Sequence, residues 1–183
     1  MGYKAALDKA YGELSATRAA GRLSVRFFSD EYSADLEKRT LKNTKDGRIA
    51  DDYIAVLILH YAVRKMDGLP PLTGKWISFR ALDGGEVYYP AFRKRAIEPV
   101  IKKYGANPEG LLSNMERLGA EKGSAGDYSI KLNPFDNVPA LVSIFGQNEE
   151  FPASANFLFD ESIKRIFATE DVAVLAGLVA SKL

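Results

Sequence analysis

Cysteine is absent from this chain of 183 residues. That excludes disulfides, thiolate nucleophiles, zinc–thiolate sites and a cysteine-held iron–sulfur cluster within the chain. Histidine occurs once, at His60; that cannot build a zinc site without other good ligands, nor a Ser-His-Asp relay without a recognisable nucleophile. An excess of one charge is missing too. The 25 Lys and Arg against 24 Asp and Glu leave a net +1, and no global field points to nucleic acid or an anionic membrane. The longest apolar run, around residues 54–63, is too short to cross a bilayer. The opening "MGYKAALDKAYGELSATRAAG" has no signal-peptide core. A cytoplasmic protein with no membrane partner is expected.

Enzyme fingerprints are equally scarce. Neither G-x-G-x-x-G nor G-x-S-x-G occurs. "GLPPLTGKW" at 68–76 has the flavour of a phosphate loop, but its glycine spacing is one residue too long. Trp76 stands where a magnesium-binding hydroxyl belongs, and a strand rather than a helix is expected next.

What is present reads as secondary structure. Tyr3, Leu7, Ala10 and Leu14 recur at helical spacing, predicting a helix that ends near Gly21. "LSVRFF" alternates as a strand, and "EYSADLEKRTLKN" reads as a polar edge strand before a "KDG" turn. "DDYIAVLILHYAVRKMDG" carries acids at its start, bases at its end and a stopping glycine, so it predicts a central buried helix. "KWISFRAL" is expected as a strand. "YYPAFRKRAIEPVIKKYG" is expected as a helix kinked or divided by Pro99, which lacks a backbone donor. Asn107-Pro108-Glu109 has the chemistry of a helix start. "DYSIKLNPF", "VPALVSIFG" and "SANFLFDES" are strands, the second apolar on both faces and so central. A final helix capped by Thr169 completes the order. The pattern predicts an α+β fold over 1–183, a single compact domain with helices packed against a mainly antiparallel β-sheet.

Four side-chain groupings could carry chemistry. Glu149, Glu150, Asp160 and Glu161, with Glu170 further on, could supply oxygen ligands to a hard cation or form an acid/base pair. Gly, Asn and Pro around the first two suit a solvated turn better. Arg93, Lys94, Arg95 and Lys102 beside Tyr88 and Tyr89 combine bases with aromatics, as nucleic-acid surfaces do. Helical rotation of about 100° per residue fans such charges apart, so a solvated helix face accounts for them better. His60 in its apolar helix is a core histidine first, although one buried imidazole could ligate a corrinoid or haem metal. Last come the aromatics. Trp76, Phe79, Tyr88, Tyr89, Phe92, Phe145, Phe151, Phe157 and Phe159 gather near strand ends, with Arg80 and Arg93 close in sequence. Rings and guanidinium groups together could line a pocket for a flat ligand bearing carboxylates.

Two segments carry a family resemblance. "LTGKWISFRALDGGEVYYPAFRKRAIEP" and "GDYSIKLNPFDNVPALVSIFGQNEEFPASANFLFDESIKRIFATEDVAVLAG" resemble an uncharacterised family of anaerobic bacteria and archaea, a domain of unknown function (DUF3786). Some relatives carry an iron–sulfur cluster segment. Because this chain has no cysteine, the resemblance implies that any cluster would sit on a partner. Its anaerobic setting implies cofactor handling.

The reading that combines these points is a non-catalytic accessory protein. It would hold a small cofactor-like ligand, such as a corrinoid or haem, or a protein partner. The expected site residues are Trp76, Arg80, Tyr89 and Arg93, with His60 as a candidate axial ligand. A carboxylate enzyme, with or without magnesium, is the first alternative and nucleic-acid binding the second.

Overall fold

A computed structural model describes residues 3–17 and 22–183. The class is α+β, with antiparallel sheets as expected, and there are two of them. Each belongs to one of two compact units, Met1–Pro70 and Pro71–Leu183.

In the first unit the periodic apolar stripe forms α1 (Lys4–Ala16), which buries Ala10, Tyr11 and Leu14 and packs on α2 (Asp52–Asp67). The expected stop at Gly21 lies outside the described residues. Burial, then the negative charge of Asp35, pushes the Tyr11 phenol up to about 12. Strands β1 (Arg22–Phe27), β2 (Asp30–Asp35) and β3 (Thr40–Asn43) form an antiparallel meander. The single polar edge strand expected over 31–43 is therefore two strands. Asp35 makes the difference, because its Oδ1 accepts the Lys38 N–H at 2.8 Å and so reverses the chain. Helix α2 is the buried helix its sequence promises: residues 55–59 and 61–63 are buried. Arg64 and Lys65 occupy its last turn, and Gly68 ends it at φ 94.

In the second unit β4 (Trp76–Ser78), β5 (Glu121–Lys122), β6 (Tyr128–Phe135), β7 (Val138–Phe145) and β8 (Ser154–Asp160) form one sheet in the order β4-β8-β7-β6-β5. β7 lies at its centre and is buried from Val138 to Ile144, as the doubly apolar sequence requires. Register stacks Ile130, Val142 and Phe157 in one row and Leu132, Ala140 and Phe159 in the next. These six side chains are almost wholly buried and form the centre of this core. Each aromatic or branched side chain so buried is worth about 1.5–3 kcal/mol relative to exposure.

Helices enclose that core. α3 (Gly85–Phe92), a π turn (Arg93–Ile97) and α4 (Glu98–Tyr104) run on from one another. The division anticipated at Pro99 is real and takes the form of the π turn just before it. The Glu98 N–H reaches back five residues to the Arg93 carbonyl, which widens the helix where proline cannot donate. The segment after Asn107 departs from expectation. It is a 3-10 helix (Pro108–Asn114) followed by the short α5 (Met115–Leu118), and Asn107 makes no side-chain cap. Side chains favour the tighter turn: Ser113 Oγ donates to the Gly110 carbonyl at 2.7 Å and Asn114 Nδ2 to that of Leu111 at 3.1 Å. α6 (Thr169–Lys182) closes the chain, but Ala168 rather than Thr169 is its N-cap. The Thr169 hydroxyl donates instead to the Asp83 carbonyl at 2.7 Å. No helix among the described residues is long and apolar enough to cross a membrane.

Candidate functional site

The stretch "KWISFRAL" does not remain a strand. It leaves the sheet after Ser78 and winds into a 3-10 turn over Phe79–Ala81. The Leu82 N–H donates to the Phe79 carbonyl at 3.1 Å, and the Gly85 N–H to that of Leu82 at 2.9 Å. Gly85 is required here, since a Cβ on it would lie 2.2 Å from the Phe79 carbonyl oxygen. The turn drives the Phe79 ring inward, where it stacks on Phe92 with centroids 4.0 Å apart. Phe157 meets Phe92 edge-on at 6.2 Å, and Tyr89 lies 6.0 Å from it on the other side.

These rings surround a pocket of about 220 Å³, lined by Ser78, Phe79, Arg80, Tyr89, Phe92, Ile97, Asn156 and Phe157. The Arg80 guanidinium carbon sits 3.8 Å from the Tyr89 ring centroid, a close cation–π stack. Its Nη1 also lies 3.2 Å from Glu86 Oε2, an exposed pair of small energetic worth.

Of the five residues expected at a site, the fold brings together Arg80 and Tyr89. Trp76 is half-buried, pairs in register with Asp160, and does not line the pocket. Arg93 is exposed, with Nε 3.5 Å from Glu98, and does not line it either. His60 is half-buried on α2 in the first unit. The remaining lining residues were only partly legible. Phe79, Phe92 and Phe157 stood out as aromatics near strand ends, whereas Ser78, Ile97 and Asn156 carried no signal. They come from the end of β4, the π turn and β8, three segments that meet only in the fold.

The acids divide: two follow the sequence reading and one departs from it. Glu149 and Glu150 are exposed in a loop, where Asn148 Oδ1 accepts the Glu150 and Phe151 N–H groups at 3.0 and 2.7 Å. That is the solvated turn expected of them. Asp160 differs: it is 3% exposed. Its Oδ1 accepts the N–H groups of Thr73 at 3.0 Å and Ser162 at 2.9 Å and the Thr73 hydroxyl at 3.1 Å. Its Oδ2 accepts the Gly74 N–H at 2.7 Å. Desolvation pushes this carboxyl upward, but hydrogen bonds from Thr73, Ser162 and Gly74 outweigh it and hold the pKa at about 2. The amides of the loop that resembled a phosphate cradle thus close on the chain's own carboxylate. Glu161 pairs with Lys75 at 3.0 Å, and Glu170 is exposed in the first turn of α6. Among the described residues no three His, Cys, Asp or Glu side chains are grouped so as to hold a metal ion.

The bases of 93–103 are partly committed as well. Lys103 donates to the Leu183 carbonyl, and so does the Tyr104 hydroxyl.

Residues 6–182 match the family described as Domain of unknown function (DUF3786). The chain belongs to that family. Comparison with curated proteins and with solved structures gives no match. The DUF3786 match takes in every residue of the pocket and of the Asp160 cradle.

Proposed function

We propose that this DUF3786 protein is a non-catalytic accessory module that grips a ligand in the aromatic pocket where β4 ends. The observation that carries this reading is the Arg80–Tyr89 stack, 3.8 Å from guanidinium carbon to ring centroid, set beside the buried Phe79–Phe92 pair. That cation–ring stack and the paired Phe rings line one small volume. The lining contributes two hydroxyls (Ser78 and Tyr89), one amide and one guanidinium, and neither a carboxylate nor an imidazole. It therefore offers grip, with neither of the groups most often used for proton transfer.

Volume narrows the ligand. Pockets for drug-sized ligands span about 300–1,000 Å³, and this one holds about 220 Å³. A whole corrinoid or haem exceeds that room, so the cofactor-like ligand expected from sequence is better read as a group of one or two fused rings. Such a group could be a free small molecule or part of a partner. Indole is a suitable probe. Titrated into the labelled protein, it should shift the backbone amide resonances of residues 79, 89 and 92, and Tyr89→Ala should abolish those shifts. Shifts that survive Tyr89→Ala would refute the reading.

A further inference from the structure

The same pocket has a polarity that its aromatic walls do not reveal. Glu161 N–H donates to the Lys75 carbonyl at 2.8 Å, continuing the register Trp76↔Asp160, Ile77↔Phe159 and Ser78↔Leu158. In an antiparallel ladder alternate residues aim their main-chain groups at the same neighbour. Residues 161, 159 and 157 therefore direct N–H and C=O toward the line of β4, while 158, 156 and 154 direct theirs toward β7. β7 answers β8 from Ser154 to Phe159. β4 does not. Its register ends at Ser78, so Phe157 has no strand residue opposite it.

In a continued ladder the Phe79 carbonyl would accept the Phe157 N–H. The ladder stops before that pair: residue 79 is already in the 3-10 turn, where its carbonyl accepts the Leu82 N–H at 3.1 Å. Phe157 is 2% exposed, so bulk water has little access to its amide. Main-chain donors buried without a partner are rare and call for one. Ser78, Phe79 and Phe157 line the same cavity, so the side of the sheet left open by β4 is the pocket side. The other polar groups there are the Arg80 guanidinium, which only donates, and the Ser78 and Tyr89 hydroxyls and the Asn156 amide, which donate or accept. Acidic side chains are missing from the lining. Two groups there only donate, Arg80 and the Phe157 N–H, and no lining side chain only accepts; the volume suits one flat ring with a short arm.

We propose that the pocket takes a small aromatic carboxylate. Its ring packs against Phe79, Tyr89 and Phe92, and its carboxylate accepts from the Phe157 N–H and from Arg80. Glu86 is the placeholder in this scheme: it lies 3.2 Å from Arg80 through an exposed pair, and a ligand carboxylate would displace it at little cost. The inference rests on the pocket being a ligand site, but it names a charge and an atom that the broader reading does not.

The experiment compares phenylacetate, its neutral counterpart phenylacetamide, and the acetylated amide of phenylalanine as a peptide-like probe, each titrated into the 15N-labelled full chain. Phenylacetate should shift the Phe157 amide proton downfield and bind about tenfold more tightly than phenylacetamide. Arg80→Met should erase that preference while weak binding of both probes persists. Equal binding of acid and amide at Tyr89 and Phe92 would overturn the carboxylate assignment and leave the ring-gripping pocket standing. Tighter binding of the peptide-like probe, with shifts at Ala155 as well as Phe157, would instead assign the site to a partner's extended segment and also overturn it. Absence of shifts with all three would remove the pocket reading itself.

Discussion

Asp160 holds Gly74 by its backbone. The carboxylate Oδ2 accepts the Gly74 N–H at 2.7 Å while its other oxygen serves Thr73 and Ser162. Gly74 adopts φ 73, a conformation in which a side chain would be strained. One buried acid therefore pins the loop that leads into β4 to the residue that ends β8.

This carboxyl titrates at about 2 in the folded chain, below its ordinary 3.8. A depressed carboxylate contributes stability above its unfolded pKa and loses it as pH falls through the folded value. The shift corresponds to about 2 kcal/mol, present above about pH 4 and lost by about pH 2. Asp160→Asn should cost about 1–3 kcal/mol at neutral pH. It should also flatten the acid limb of stability between pH 4 and 2, measured by urea denaturation across that range. An acid limb as steep as that of the unmodified protein would contradict the assignment.

The stack under the pocket should also show in stability. Phe79 is 1% exposed and its ring lies 4.0 Å from that of Phe92. Phe79→Ala should destabilise the chain by about 3–5 kcal/mol through lost transfer energy and the cavity left behind. Phe79→Leu should recover most of that. Chemical denaturation of the two variants side by side checks the order, and comparable losses would mean that ring geometry rather than volume dominates.

A polar clamp secures the end of α6. Asn114 Nδ2 donates to the Tyr104 hydroxyl at 2.8 Å, and that hydroxyl donates on to the Leu183 carbonyl. Arg117 donates to Asn114 Oδ1 at 2.6 Å and also to the Lys182 carbonyl. Asn114 is 5% exposed, so Asn114→Ala leaves buried groups unmet and should cost about 1–3 kcal/mol. Hydrogen exchange should quicken first over residues 179–183. Protection unchanged there would show that α6 is held by its apolar contacts alone.

Much of this fold can be read from residue order, because the strong patterns are local. The buried centre of β7 and the capped run of α2 each depend on alternation or on end charges within one segment. Three failures share the opposite cause. The strand over 76–82 breaks because Gly85 lets α3 approach the Phe79 carbonyl, a contact between segments. Thr169 loses its capping role to the Asp83 carbonyl, 86 positions away. Asp160 turns inward for backbone amides of 73–74 that alternation cannot foresee. Site residues follow the same rule. Arg80 and Tyr89, which line the pocket, carry guanidinium and phenol groups that stand out in a sequence, whereas the Phe157 amide owes its position to the strand that fails to cover it. Trp76 and Arg93 stand out as clearly and lie off the pocket: Trp76 pairs with Asp160 at the end of β4 away from Ser78 and Phe79, and Arg93 pairs with Glu98.

The most direct test of the ligand-gripping pocket is the set of intermolecular NOEs between bound indole and the protein. Cross-peaks from indole protons to the rings of Tyr89, Phe92 and Phe157, lost in Tyr89→Ala, are the predicted result. Saturating indole that gives cross-peaks only to exposed aromatics such as Phe151, 64% exposed and remote in sequence from β4, would contradict it.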